Sequence, residues 1–430
     1  MKSGFLKWFT AIALFAVLAS WVPIAAQDKQ DNHKDKIPHY ALKVLPTLGG
    51  TFGYAGAINN RGSVVGNSTL PSDNVLHAFL WQNGVMTDLG TLGGPNSWTS
   101  NPANGVNDRG AVSGYSDTTT PDPNGESACP DGYGLICLPF VWQNRVMTAL
   151  PLLGGNNGQA NEINNRGQIV GLSETSNSDP CSFLFLQVQA VIWQNGQVQE
   201  LPPLPGDPDG LAGGINDKGE VAGATGCATG NIHAVLWQNG VAIDLGNLGG
   251  TVNLAGDINN KTQVVGQADV PGGTHHAFLW QDGVMSDLGN LPGLPTSFAL
   301  GINNQGQVVG VSQDANGDDF SSVAFLWQNG VITDLNTLIP PGSPLFLQEP
   351  EGINDRGQIV GFGLLANGDQ RGFLLTPCGG DDDSCQGGNE NTVLQTDPAV
   401  RNPSSPTLPS SLMRRMDRYH LPSSAFGPRN

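Results

Sequence analysis

Apolar and polar positions alternate in short runs along most of this chain. "HAFLWQ" (77–82) and "GVMTDL" (84–89) carry the period of two expected of half-buried strands. The residues between such runs are turn formers. "QNG" sets Asn-Gly between two apolar runs, a strong hairpin signal, and "NNRG" places Asn first and Gly fourth, as a type I turn prefers.

The same phrase returns at intervals. "INNRGSVVG" starts at Ile58, and variants start at Val106, Ile163, Ile215, Ile258, Ile302 and Ile353, which makes seven copies 43–57 residues apart. The aromatic run follows six of them, with its indole at Trp81, Trp142, Trp193, Trp237, Trp280 and Trp327; after the seventh comes only "GFLLTP" (372–377). Each unit predicts four strands. The first ends at "IN", often with Ala three residues ahead (Ala55, Ala103, Ala160, Ala212, Ala255, Ala299), and "GQVVG", "HAFLWQ" and "GVMTDL" supply the others. A meander of about 40–50 residues is the size of a propeller blade. The last unit lacks a fourth strand, and "HYALKVLPTLGG" from His39 supplies an isolated one ahead of the first "INN". The expectation is an all-β, seven-bladed β-propeller of four-stranded antiparallel meanders, its last blade closed by an N-terminal strand. An open solenoid would instead need polar capping repeats.

The units "HAFLW" (77–81, 276–280), "INNRGQIVG" and "DLGNLGG" resemble those of the HAF family of probable extracellular repeat proteins, over about residues 39–377. The resemblance implies an exported bacterial protein of repetitive β architecture, and it implies no defined activity. His-Ala-Phe is intact only at His77 and His276, and His233 is followed by Ala-Val, so a family-wide role for this histidine is not expected.

Composition changes the picture at the ends and on the surface. Residues 1–26 read as a signal peptide with Lys2 and Lys7, a short apolar stretch and a cleavage point after Ala26. A polar linker (27–38), the propeller (39–378) and a disordered tail (379–430), acidic and then basic, follow. Within the tail, "LMRRMDRYHL" could form a short docking helix. No further apolar span is present, so the mature chain is expected to be secreted, periplasmic or at the cell surface, without a membrane span, and monomeric. With 59 Gly, 30 Pro and a formal charge of −18, it suits many turns and repels phosphate backbones, so nucleic acid is not an expected partner. Six cysteines fit an oxidising compartment. Under the blade model they pair as Cys129–Cys137, Cys181–Cys227 and Cys378–Cys385.

Four strands per blade put the tight "NNxG" and "QNG" turns on one face and the long variable loops on the other. The third turn position is Arg61, Arg109, Arg166, Lys218, Lys261, Gln305 and Arg356, which predicts a basic ring on the tight-turn face. Such a ring is a candidate for docking a polyanionic wall polymer, although solvated turns alone account for the residue types. The long loops are acidic. Trp98, Tyr133, Asp122 and Asp131 are candidates there for stacking and hydrogen bonding to a sugar; the alternative for Trp98 is a place in the core. "DANGDD" (314–319) has a faint likeness to a calcium loop at Asp314 and Asp318 but lacks the spacing and the distal Glu.

No metal site or cofactor is expected. His233 and His276 share a position in adjacent blades, where a polar strand end explains them better than a shared metal. No nucleophile, zinc or phosphate-loop motif appears. Glu162 and Asp257 form the best carboxylate pair near the axis. The leading expectation is therefore an exported, non-catalytic recognition scaffold binding a glycan or a protein through its long-loop face. The alternative is a polysaccharide-acting hydrolase or lyase, and the third reading is a structural cell-surface module.

Overall fold

The computed structural model describes residues 38–379, apart from 100–104, 127–128, 131–132, 180, 182–184, 228–229 and 316–321. Asp131, Asp318, Ala103 and Cys385 lie outside the described residues, as do the signal sequence, the linker up to residue 37 and the tail beyond Gly379. The chain enters on β1 (Tyr40–Val44). The first blade is β2 (Gly53–Ile58), β3 (Val64–Thr69), β4 (Leu76–Gln82) and β5 (Val85–Asp88). The second is β6 (Ser97–Trp98), β7 (Val112–Pro121), β8 (Leu135–Gln143) and β9 (Val146–Ala149). Strands β10–β13, β14–β17, β18–β21 and β22–β25 form the third to sixth blades over residues 154–200, 209–244, 253–289 and 296–334. The seventh holds β26 (Leu345–Ile353), β27 (Ile359–Leu365) and β28 (Gln370–Pro377).

Seven four-stranded antiparallel sheets result, six in simple sequence order and one in the order β1-β28-β27-β26. The N-terminal strand runs antiparallel to β28, from Tyr40 opposite Pro377 to Val44 opposite Phe373. The chain is a seven-bladed β-propeller closed by its own first strand, as the split repeat predicts.

Why glycine recurs in "VVG" follows from the innermost strands. In six blades the register slips between the residue three before the turn motif and the residue one before it, as at Ala55/Ala57 and Ala299/Gly301. The bulge presses the innermost strand toward its neighbour. A Cβ on Gly66 would lie 2.0 Å from the Tyr54 carbonyl oxygen and 2.9 Å from the Phe79 ring. On Gly310 it would lie 2.1 Å from the Phe298 oxygen and 2.5 Å from the Phe325 ring. The fully buried phenylalanine of the third strand occupies the space that glycine leaves.

The apolar core is divided among the seams between blades. Ala57, Val65 and Leu80 of the first blade pack on Val106, Val112 and Phe140 of the second, and each of the other six seams has its own cluster. Both faces of each sheet are buried in this way, so each blade depends on both neighbours to cover its apolar side chains.

Two disulfides tie the long loops. Cys129 pairs with Cys137 within the second blade, and Cys181 pairs with Cys227 across the third and fourth. Cys378 is disulfide-bonded as well.

In the second blade Trp98 takes the core alternative and not a place on the long loops. It lies in the innermost strand opposite Tyr115, at the position Tyr54 holds opposite Asn67 in the first blade. Trp98 precedes Val106 by eight residues where Tyr54 precedes Ile58 by four, so an insertion within the strand displaces it in the sequence count.

Candidate functional site

The first Asn of each "IN" motif is buried (Asn59, Asn107, Asn164, Asn216, Asn259, Asn303, Asn354). Its side-chain oxygen accepts the backbone N–H groups two and four residues on, as Asn59 does from Arg61 and Ser63, and so builds the turn. Its Nδ2 then donates to the backbone carbonyl of the equivalent Asn in the next blade. These bonds run from Asn59 to Asn107 (2.8 Å), and on to Asn164 (3.1 Å), Asn216 (3.0 Å) and Asn259 (3.1 Å). They continue to Asn303 (2.9 Å), Asn354 (3.1 Å) and back to Asn59 (2.9 Å). Seven side chains thus form a closed hoop around the axis.

The following residue forms a second hoop. The backbone N–H of Asn60, Asp108, Asn165, Asp217, Asn260, Asn304 and Asp355 each donates to the side-chain Oδ1 of the next member, at 2.8–2.9 Å. The Oδ2 of Asp217 further accepts from Asn165 and Asn260, and that of Asp355 from Asn60 and Asn304. The two hoops line an axial cavity of about 100 Å³ that Glu162 also reaches.

Outside the hoops stand Arg61, Arg109, Arg166, Lys218, Lys261 and Arg356, every one of them exposed. Several lean onto the turn of the next blade. Lys218 donates to Thr262 Oγ1 at 3.0 Å, and the guanidinium of Arg356 lies over Gly62. Arg145, in a "QNR" hairpin turn, shares this face. Seven of the nine Lys and Arg side chains among the described residues therefore sit on the tight-turn face.

The opposite face does not present the expected sugar shelf. Trp98 is 0% exposed, stacked on Tyr115 with ring centroids 5.6 Å apart, and packed beside Cys129 and Cys137. Asp122 is buried as well; it accepts the Asn124 and Glu126 N–H groups and the Asn157 amide. Tyr133 alone of the described candidates there is open, at 54%.

Other loop acids are likewise used in holding loops. Glu174 accepts from the Asn156 and Asn157 backbone and from the Asn157 side chain, and Asp73 accepts from Thr51 and Thr69. Burial, with Glu174 and Asp122 nearby, pushes Glu126 up to about 7 against the opposing Phe185 N–H. Asp209 is raised to about 6 by burial and by Asp179. Asp179, Asp209 and Cys181 are the one potential metal-ligand group among the described residues, and Cys181 is committed to its disulfide. Asp314 is described, but its expected calcium partner Asp318 is not.

Glu162 and Asp257 are both buried beside the axis, and each spends an oxygen on the backbone of the next blade: Glu162 on Ile215 N–H at 2.9 Å, Asp257 on Ile302 N–H at 2.8 Å. Glu162 is thus committed to the third–fourth seam and Asp257 to the fifth–sixth. The histidines are paired separately. His77 bonds Asp88, His276 bonds Asp287 and His233 bonds Asp207, each at 2.8 Å. The hoops themselves were not anticipated; the signal was an Asn in all seven copies at a position where a turn alone accepts Asp or Ser.

No family model matches the chain, and no curated protein sequence does. Solved propellers are similar at low identity. The β-propeller domain of the Trilobed protease from Pyrococcus furiosus matches at 11% identity and TM-score 0.32, covering 66% of this chain and 98% of that one. A gluconolactonase from Xanthomonas campestris matches at 11% and 0.36, covering 80% and 96%. A prolyl endopeptidase matches at 9% and 0.46, covering 79% of this chain and 51% of its own. The fold assignment rests on the strand pairing of this chain.

Proposed function

We propose that this chain is an exported, non-catalytic recognition scaffold that holds an anionic extracellular polymer on its tight-turn face. The observation that carries this reading is the ring of six exposed cations around hydrogen-bonded hoops, on a chain whose formal charge is −18. Cations gathered on one rigid surface of an acidic protein attract a polyanion while the remainder repels it. The hoops fix the turn backbones, so the charges are presented with little ordering left to do on binding. The long-loop face supports the reading less well, because Trp98 and Asp122 serve the interior. The disulfides accord with an oxidising compartment, and the repeat units with the exported HAF-type proteins that the sequence resembles.

The test is binding of the oxidised chain to polygalacturonate, with dextran as the neutral control. Affinity should fall steeply with salt. The triple variant Arg61→Gln, Lys261→Gln, Arg356→Gln, which installs the Gln that the sixth blade carries, should bind at least tenfold more weakly. Salt-independent binding, or equal binding to dextran, would remove the proposal.

A further inference from the structure

The second blade breaks the repeat at three neighbouring positions. In the other six blades, the residue after the tight turn bonds across to the end of the third strand. Gln82 reaches Ser63 at 3.0 Å, Gln168 reaches Gln194 at 3.3 Å and Gln238 reaches Glu220 at 2.8 Å. Gln263 reaches Gln281 at 2.8 Å, Gln307 reaches Gln328 at 2.9 Å and Gln358 reaches Thr376 at 3.4 Å. In the second blade the position is Ala111, and among the described residues the Gln143 amide has no partner. One strand over, Val141 replaces the Leu or Ile of its siblings (Leu80, Ile192, Leu236, Leu279, Leu326, Leu374). On the outer strand, Ala149 stands where Asp88, Glu200, Asp244, Asp287 and Asp334 stand in five other blades.

The first two changes open onto one cleft between the second and third blades, of about 430 Å³, whereas Ala149, opposite Phe140, faces the first blade. Its floor is apolar, with Val141, Leu150, Ile163, Ile169 and the buried Trp193. Arg109 lines it, exposed, and among the described residues its guanidinium makes no hydrogen bond or ion pair. No acidic side chain lines the cleft. A cleft of this volume with an apolar floor and few polar groups is what small ligands occupy. A lone guanidinium at its wall selects a carboxylate over a neutral group.

We propose that this cleft binds a small amphipathic monocarboxylate, aromatic or medium-chain, with its apolar body against Trp193 and Ile169 and its carboxylate on Arg109. The site shares Arg109 with the ring, while its apolar floor and the Ala111 and Val141 positions take no part in polymer binding.

The test is calorimetric titration of the full oxidised chain with octanoate, 3-phenylpropionate and 1-naphthoate, each against its primary amide. At least one acid should bind, and its amide should bind at least tenfold more weakly. Arg109→Gln, which copies Gln305 of the sixth blade, should weaken the acid about tenfold or more. Ala111→Gln, which restores the sibling bridge and fills the cleft, should abolish binding while leaving the thermal midpoint unchanged or higher. Should Ala111→Gln fold poorly, Val141→Leu is expected to give the same loss. The proposal is overturned if no acid binds at millimolar concentration, if acid and amide bind alike, or if a folded, cleft-filled variant keeps its affinity. The polygalacturonate assay on Ala111→Gln, with its ring cations intact, keeps failure here distinct from failure of the ring.

Discussion

The side-chain amide of Asn354 donates to the backbone carbonyl of Asn59, 295 residues earlier in the chain, at 2.9 Å. The bond is equivalent to six others made between sequential blades, yet it crosses the seam where the first and last blades meet.

Removing Asn354 should therefore weaken the closure of the ring. Asn354→Ala takes from the Asn59 carbonyl one of its two donors, the other being the Gly62 N–H, and leaves the Arg356 and Gln358 N–H groups without their acceptor. Buried polar groups left in this way cost about 1–3 kcal/mol each. A loss of about 3 kcal/mol is expected in urea unfolding, and a change under 0.5 kcal/mol would count against the hoop. Deleting residues 39–50, which removes β1, should lower the thermal midpoint further.

The fifth blade carries Thr262, at φ 63°, where all six siblings have a left-handed Gly. For a β-branched residue this conformation costs roughly 1–2 kcal/mol. Thr262 Oγ1 offsets it by donating to Glu220 at 2.7 Å and accepting from Lys218. Thr262→Gly, which loses the bonds and the strain together, should fall within about 0.5 kcal/mol of the parent. Thr262→Ala keeps the strain and loses the bonds, so it should be the less stable of the two in the same denaturant series.

Asp257 and Asp88 predict opposite pH windows. Burial raises Asp257 to about 6 despite its two backbone N–H donors. A raised folded value favours the protonated form, so its contribution is full below about pH 4 and is lost as pH rises through about 6, on the order of 2 kcal/mol. Burial also opposes ionisation of Asp88, but the His77 hydrogen bond, the Gly90 N–H and the His77 charge outweigh it and hold Asp88 below its usual value. Its contribution is present above pH 4 and disappears as pH falls through the depressed value. Asp257→Asn should flatten the stability profile between pH 4 and 6 in thermal scans and leave the acid limb in place.

The two disulfides should differ in effect. Cys181–Cys227 spans 46 residues and Cys129–Cys137 spans 8. Loop-closure entropy gives about 4 kcal/mol for the first and about 2.5 kcal/mol for the second. Paired Cys→Ala variants compared in urea should show that order; the reverse order would mean that the unfolded chain is not the main site of the effect.

Blade number, the clasp and both described disulfides were legible because each leaves a mark in local sequence: seven motif copies, a split unit, and cysteines in matching loops. The hoops were not, since their bonds join residues 43–57 apart in sequence, and 295 apart at the closing seam, which no local pattern records. Trp98 was misplaced because an insertion within the innermost strand looks, in sequence, like a longer link. The cleft lay in absences, a missing glutamine at Ala111 and a side chain shortened to Val141, which only an overlay of the blades makes visible.

Around the outer hoop, Asn and Asp alternate from Asn60 to Asn260, and then Asn304 follows Asn260 before Asp355. An odd-membered circle cannot alternate two letters without one mismatch. Four Asn amides supply Asp217 and Asp355 with two each, and none reaches Asp108, the neighbour of Arg109. The rotational near-symmetry is thus broken, and the second blade is marked on the axis as well as in its cleft. A partner approaching along that axis meets seven similar turns but only one orientation that suits it best.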